Sequence, residues 1–383
     1  MTALMLFTRD LRIADNEALQ VAAREQSLIC GVWPQDTLNW GDSKRAFYES
    51  CLGNLAHSLQ SLGHGLFIID DASAFDTIYQ SRSYNELEGP IADSDKIIIA
   101  GETTLFKEQE LPFAVVDLAK TFTPFRHKMD KVAKEPQSPF TIDKLPPQAP
   151  YQGAKIAPSP QGGETEALAR LEEYFQTDHP LSYFDTRNGL INKNDSTKFS
   201  PFLAWGCLSA ERIYYELKLF EARRGSNKST YWIFFELLWR DYFKFLSLKF
   251  GSKMYAITGT ADRQLPALDA ELEQQYFLEW VTATTEEPFV NANMRELNQT
   301  GWMSNRGRQN VASFLCKTKG VNWLLGAEYF ARHLIDYDLE SNYGNWAYLA
   351  GVGVDPRDRL FNIAKQASIY DPDNVYQDLW LSQ

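Results

Sequence analysis

The feature that most constrains this chain is a break near its middle. Between residues 121 and 163 stand Pro124, Pro136, Pro139, Pro146, Pro147, Pro150, Pro158 and Pro160. Proline lacks an amide donor and fixes φ, so neither a helix nor a sheet ladder runs through such a density. The stretch reads as a long connection between two differently patterned halves. Before it, short apolar runs alternate with amphipathic stretches. Residues 3–7, 28–33, 66–69, 96–100 and 113–116 predict buried strands, and 16–24, 44–61, 74–80 and 103–110 predict helices. That alternation implies a doubly wound parallel sheet covered on both faces. No GxGxxG and no Walker loop occurs in it, which excludes a standard dinucleotide or triphosphate site there. After the break the strand signal vanishes. Helices are predicted over 164–176, 209–224, 229–250, 272–281, 291–299, 304–317, 323–334 and 342–350, with Ser229 as an N-cap and Gly251 as a stop for the longest. The expected fold is therefore α/β plus all-α. It comprises an N-terminal doubly wound domain over 1–120, a connection over 121–163 and a C-terminal helical domain over 164–383.

Composition narrows the setting. A chain of 383 residues has room for two or three domains and a large core. No apolar run approaches the roughly 20 residues of a membrane span, and the start lacks a basic, cleavable leader. Cys30, Cys51, Cys207 and Cys316 show neither CxxC nor metal-ligand spacing. These features predict a cytoplasmic monomer with no membrane partner and no metal. The formal charge of −12 argues against a general polyanion binder but allows a local basic patch. Eight of the ten tryptophans follow residue 200, a skew that suits either core packing or a pocket for a flat ligand.

Four segments carry candidate chemistry. The stretch 231–243 is apolar almost all round, and Glu236, Trp239 and Arg240 fall at i, i+3 and i+4. They suit either a planar polar ligand or a buried Glu236–Arg240 pair with Trp239 as packing. Ser304 can cap a helix presenting Asn305, Arg306, Arg308 and Gln309, followed by Lys317 and Lys319, with no acid between Ser304 and Gly320. This basic island is either a set of phosphate contacts or a solvated face. Asp336, Asp338 and Asn342, close to Trp346, suit a hydrogen-bonding ring or sugar, or a hard cation, although no glycine-spaced calcium loop is present. The run Ser196-Thr197-Lys198-Phe199-Ser200-Pro201 offers hydroxyls, amides and a cation ahead of a helix, a workable pyrophosphate cradle. Taken singly, each is more often a turn or a cap.

In this order, the segments resemble the cryptochrome/photolyase family, with wording closest to its DASH-type branch. The resemblance runs from Arg9-Asp10-Leu11-Arg12 and Asp15-Asn16 through Thr186-Arg187-Asn188-Gly189, 235–242, 303–314 and 335–346 to Phe361-Asn362-Ile363. It implies flavin adenine dinucleotide (FAD) bound in the helical domain. Tyr183, Ser196, Thr197, Lys198, Phe199 and Ser200 would hold phosphates and ribitol, with Asp336 and Asp338 at the adenosine and isoalloxazine ends. Arg308 would pair with Asp336, and Asn342 would face flavin N5. The implied activity is that of a deoxyribodipyrimidine photolyase, in which blue light drives an electron from reduced flavin to a flipped-out cyclobutane dimer in DNA. Glu236 would hydrogen-bond the 5′ base, Trp239 would stack on the dimer and Asn305 would touch a base edge. Arg187, Arg240, Arg306, Gln309 and Lys317 would meet the DNA. Flipping costs a few kcal/mol and stacking returns about 1–3 kcal/mol per base, a balance that favours single strands. The related branch that repairs (6-4) photoproducts carries two histidines where this chain has Asn305 and Gln309, so dimer repair is expected.

Trp346 and Trp323 match two members of the family's electron relay, and Ala270 stands at the distal position. The family's Thr-Gly-x-Pro-x-Val-Asp-Ala appears as Thr285-Glu286-Glu287-Pro288-Phe289-Val290-Asn291-Ala292. The first domain is short around 103–121, so FAD alone is expected, without a folate or deazaflavin antenna. The alternative implied by the same family is a cryptochrome-type photoreceptor that signals without repair.

Overall fold

The computed structural model describes residues 2–82, 95–354 and 360–382. Strands β1 (Ala3–Phe7), β2 (Leu28–Val32), β3 (Leu66–Ile68), β4 (Thr77–Gln80) and β5 (Ile97–Ile99) form one parallel sheet in the order β3-β2-β1-β4-β5. Every residue of β1 and β2 is buried. Alternate residues of β1 join different cores: Ala3, Met5 and Phe7 pack with Leu19 and Leu55, whereas Leu4 and Leu6 pack with Phe67 and Ile78. At β1 and β2 the sheet is therefore covered on both faces, and its order reverses at β1, as the doubly wound reading requires, whereas the edge strand β5, expected to be buried, leaves Ile98 and Ile99 exposed.

Helices α1 (Glu17–Ala22) and α2 (Asp42–Ser61) belong to this half, and α3 (Phe122–Met129) lies within the proline-rich connection. Then follow α4 (Gly163–Phe175), α5 (Tyr183–Thr186), α6 (Ser200–Trp205), α7 (Ala210–Arg224), α8 (Lys228–Phe250) and α9 (Ala270–Val281). The chain ends with α10 (Pro288–Thr300), α11 (Asn305–Ser313), α12 (Trp323–His333), α13 (Leu339–Ala350), α14 (Ile363–Tyr370) and α15 (Val375–Leu381). Pro124 sits in the first turn of α3, where a missing amide costs nothing. The rest of the connection runs beside the sheet, bridging Leu28 to Gln148 and Phe67 to Lys155.

Three local expectations fail. Within 74–80, Thr77–Gln80 form strand β4 and no helix is present. The segment is too short for a stable helix, and Thr77, Ile78 and Tyr79 suit the parallel ladder on β1. Residues 103–110 give only a 3-10 turn at Glu108–Glu110. Their backbone is spoken for elsewhere, because Leu105 and Phe106 donate their amides to the two oxygens of Asp241, both at 2.9 Å. Residues 113–116 lead into a second 3-10 turn, Val115–Asp117, and join no ladder. The cap of α8 also moves. Asn227 accepts from the amides of Ser229 and Thr230 at 2.8 and 3.0 Å, while the Ser229 hydroxyl turns to the Phe184 amide. Gly251 ends the helix at φ +55° as expected.

The two halves meet in direct backbone contact. Leu11 donates its amide to the Trp205 carbonyl at 3.1 Å. Next to it Gly206 stands at φ +69°, where a Cβ would lie 1.9 Å from the Arg9 carbonyl oxygen. Only glycine fits both the conformation and the approach.

Candidate functional site

Ser304 caps α11 by accepting the Gly307 amide at 2.9 Å, and this fixes which side chains the first turns present. Asn305, Arg308 and Gln309 then form one wall of an open-sided cavity, about 540 Å³ when its solvent-filled mouth is counted. The opposite wall comes from α13 through Ser341, Asn342, Asn345 and Trp346. The turn joining α12 to α13 closes one side with Asp336, Tyr337 and Asp338.

Asp336 is buried, and its Oδ2 accepts from Arg308 Nη2 at 2.8 Å and from the Ser200 hydroxyl at 2.7 Å. Its Oδ1 is buried with no hydrogen-bond partner. Leaving such an oxygen unanswered costs about 1–3 kcal/mol or more, so it is an acceptor waiting for a donor. Asn342 commits its amide nitrogen to the Ala327 carbonyl at 3.0 Å, so its carbonyl oxygen is what it offers the cavity. The Trp346 ring lies against Gly326, where any Cβ would come within 2.2 Å of it.

Asp338 lines the same cavity but is fully engaged. It caps α13 through the Ser341 amide at 3.0 Å and pairs with Lys244 at 3.3 Å and Arg240 at 3.8 Å. Burial pushes its carboxyl upward, yet Lys244 and Arg240, helped by Ser341, outweigh that and hold it far below the ordinary carboxylate range.

The 196–200 loop approaches from α4. Arg170 clamps it, donating from Nε to Thr197 O at 3.0 Å, from Nη1 to Asn194 Oδ1 at 2.9 Å and from Nη2 to Ser196 O at 3.3 Å. Lys198 adopts φ +59°, an uncommon choice for a residue with a side chain. Two links join the loop to the cavity. One is the Ser200–Asp336 bond. The other is the Trp302 ring, which takes Lys198 at 4.1 Å and Arg308 at 5.5 Å. Tyr183 and, within the loop, Phe199 are buried.

The outer face of α8 stands apart from this cavity. Glu236 lies 3.7 Å from Arg187 Nε, and its side chain is 42% exposed. The surrounding protein pushes its carboxyl upward, to about 7, while Arg187 and then Trp232 pull it back, and solvent reaching its half-open side chain offsets part of the push. Trp239 stacks on Phe122 of α3 at 3.7 Å and 11°, so the connection already covers one face of the indole. The local Glu236–Arg240 pair does not form. Arg240 requires a correction as a DNA contact: it turns inward to the carbonyls of Thr103 and Leu203 and to Asp338, with 11% of its side chain exposed. It clamps the two halves.

Arg306 donates to Asn188 Oδ1 at 3.1 Å, which brings the basic start of α11 to the segment that carries Arg187. Asn305 is exposed at the cavity mouth. Lys317 lies farther along, in the π-helical turn Phe314–Thr318. Trp323 is buried and meets Tyr343 at 6.0 Å, whereas the ring neighbours of Trp346 are Phe330 at 5.1 Å and Trp280 at 6.1 Å. Ala270 opens α9, and nearby Tyr276 carries Lys319 over its ring at 4.5 Å. Among the described residues no acidic, histidine or cysteine cluster suits a metal.

Sequence reasoning passed over Tyr337, Ser341 and Asn345. The last two share a helical face with Asn342 and Trp346, so the 3.6-residue period contained the signal. Arg170 and Phe122 left no comparable mark, because their roles arise from contacts between distant segments.

Comparison with known proteins adds context. Residues 232–383 match the model for the FAD binding domain of DNA photolyase, and residues 3–81 match the DNA photolyase model. A cryptochrome DASH from Synechocystis sp. is 39% identical, covering 100% of this chain and 88% of its own. A crystal structure of a Synechocystis cryptochrome superposes with a TM-score of 0.88 at 37% identity over 100% of this chain and 88% of that one. A bacterial class III photolyase from Agrobacterium tumefaciens shares the fold, with a TM-score of 0.85 at 24% identity over 100% and 86% of the two chains.

Proposed function

The chain belongs to the cryptochrome/photolyase family and to its DASH-type branch, and from that premise we propose that it binds FAD and uses blue light to repair cyclobutane pyrimidine dimers in single-stranded DNA. The observation that carries the reading is the convergence of Arg308, Asp336, Asn342 and Trp346, from three elements, on one cavity, with Ser200 bonded to Asp336 and one buried oxygen unanswered. These residues fit the dinucleotide. Asp336 Oδ1 accepts a hydroxyl or ring N–H, and the Asn342 carbonyl accepts a second donor. The clamped 196–200 loop, with Lys198 and Ser200, supports the phosphates. Bound there, reduced flavin supplies the light-driven electron that opens the cyclobutane ring.

The protein's own part is positioning. The apolar wall around Trp346 keeps water from the site. Asn305 at the mouth meets a base edge. Glu236, with its carboxyl raised toward neutrality, keeps a proton to donate to a base carbonyl. Arg187 and Arg306 receive flanking phosphates. Asn305 and Gln309 are amides and cannot act as an acid–base pair, so (6-4) chemistry is not supported. The overall charge of −12 limits non-specific duplex binding, which supports the single-strand preference. Within this reading the functional units are 1–120, 121–163 and 164–383, FAD is the sole chromophore, and the protein works as a cytoplasmic monomer.

Purified protein should carry a flavin absorption spectrum. With reductant and blue light it should return intact pyrimidines from a dimer-containing single-stranded oligonucleotide. Flavin uptake without light-dependent turnover on either single or double strands rejects repair in favour of a photoreceptor. A colourless preparation that cannot be reconstituted rejects both.

A further inference from the structure

Lys44 on α2 is 2% exposed, and among the described residues it forms no ion pair. A buried, unpaired ammonium is expensive, and a methionine would fill comparable space without that cost. What surrounds it is aromatic. Its Nζ lies 3.9 Å from the Trp40 ring, 4.7 Å from Tyr337 and 6.0 Å from Trp205, and it donates one hydrogen bond to the Ala331 carbonyl. Ring faces attract a cation most strongly where water is excluded.

The cage spans both halves of the molecule. Trp40 and Lys44 belong to the sheet half, Trp205 ends α6 and Tyr337 lines the cavity between Asp336 and Asp338. Around it, Gly41 donates its amide to Arg332 O at 2.9 Å, Ser43 donates its hydroxyl to Gln299 O at 3.1 Å, and Trp205 Nε1 donates to Ile335 O at 2.8 Å. The turn bearing both aspartates is therefore seated against α2, and Lys44 is the one cation of α2 over the ring of that turn.

We propose that Lys44 is a positioning residue for the cofactor cavity, its charge holding the Tyr337 ring in the wall so that the sheet half controls how firmly flavin is retained. The proposal rests on the FAD reading above. The charged and titratable groups around Lys44 are Arg9 after β1, His333 at the end of α12, and Tyr48 and Tyr337. Burial first, and then Arg9, lower the Lys44 pKa to about 7, so its charge is adjustable near neutrality.

The sign of the effect separates positioning from mere packing. Because the folded-state pKa is depressed, deprotonation relieves a desolvation penalty, and the Lys44 contribution to fold stability rises with pH above about 7. Grip on Tyr337 moves the other way, because the neutral amine no longer attracts the ring. A purely structural lysine would move stability and flavin retention together.

The test follows FAD release after dilution, by recovery of flavin fluorescence, across neutral pH, alongside urea unfolding of the same samples. Wild-type protein should release FAD about tenfold faster on the alkaline side while its unfolding midpoint rises. Lys44→Arg, always charged, should release slowly at every pH, and Lys44→Met quickly at every pH. In flavin-free protein, the near-ultraviolet circular dichroism of the Trp40–Tyr48–Trp205 cluster should titrate with the same midpoint, and this titration should be absent in Lys44→Arg. If Lys44→Met fails to fold, the flat, slow profile of Lys44→Arg still decides. FAD bound by wild type but released with the same pH profile by wild type and Lys44→Arg overturns the proposal alone. Wild type that takes up no FAD overturns the functional reading and the proposal with it.

Discussion

The turn between α12 and α13 has two unlike sides. Toward α8, every charge faces an opposite one: Asp338 faces Lys244 and Arg240, Lys244 also meets Glu340 at 3.0 Å, and the Ser341 amide donates to the second Asp338 oxygen. Toward α11, Asp336 meets Arg308 and Ser200 through one oxygen and leaves the other empty-handed. The same residue type, two positions apart on the same cavity, is spent on the fold in one case and keeps an oxygen unpartnered in the other. Unspent hydrogen-bonding capacity separates the two roles; charge and burial do not.

The largest effect should come from the answered side. Asp338→Ala leaves Lys244 and Arg240 buried beside an empty position and should cost about 3–5 kcal/mol in urea unfolding. A loss below about 1 kcal/mol would break the comparison, since the network would then be ornamental. On the open side, Asp336→Asn should weaken FAD binding by about 10–100-fold, the scale of a charged hydrogen bond. Its unfolding midpoint should move much less than that of Asp338→Ala. Titration of bound flavin against unfolding of the apo-protein separates the two quantities.

A smaller effect sharpens the contrast through pH. Asp338, with its folded pKa depressed, contributes stability that is complete above the ordinary carboxylate range and is lost on acidification below it. Near Arg308 and Lys198, Glu296 behaves oppositely. Burial raises its pKa to about 7 against the pulls of Tyr376, Lys198 and Arg308. Its contribution is therefore intact at low pH and erodes as pH rises from about 4.5 to about 7. Glu296→Gln should flatten the neutral limb of a Tm–pH profile and leave the acid limb unchanged. The smallest expected change is catalytic. Glu236→Gln keeps a donor, so repair per photon should fall only a few-fold, whereas wild-type repair should decline as pH rises through the raised Glu236 pKa. A steep alkaline decline in both proteins would move that titration to another group.

Much of this was legible in sequence, for identifiable reasons. β1 and β2 read correctly because strands buried on both faces are continuous apolar runs. Residues 74–80 misled because four strand residues at the end of a short amphipathic stretch carry too little period to tell 2.0 from 3.6. The α11 and α13 walls were visible because one helix fixes the spacing of Asn305, Arg308 and Gln309, and another that of Asn342 and Trp346. Pairings between segments were not. The i, i+4 spacing of Glu236 and Arg240 offered a local ion pair, but tertiary packing turned one toward Arg187 and the other toward Asp338. Nothing in the connection announced that Phe122 would lie flat on Trp239.

The contact of Gly206 with the Arg9 carbonyl carries a practical corollary. With no tolerance even for a methyl group, it works as a keyed joint between the two halves. A chimaera that imports a foreign sheet module should fail there, at a single backbone fit, long before it fails in the tolerant strap of prolines. Grafts that keep this glycine and the backbone path from Arg9 to Leu11 have the joint already cut to shape.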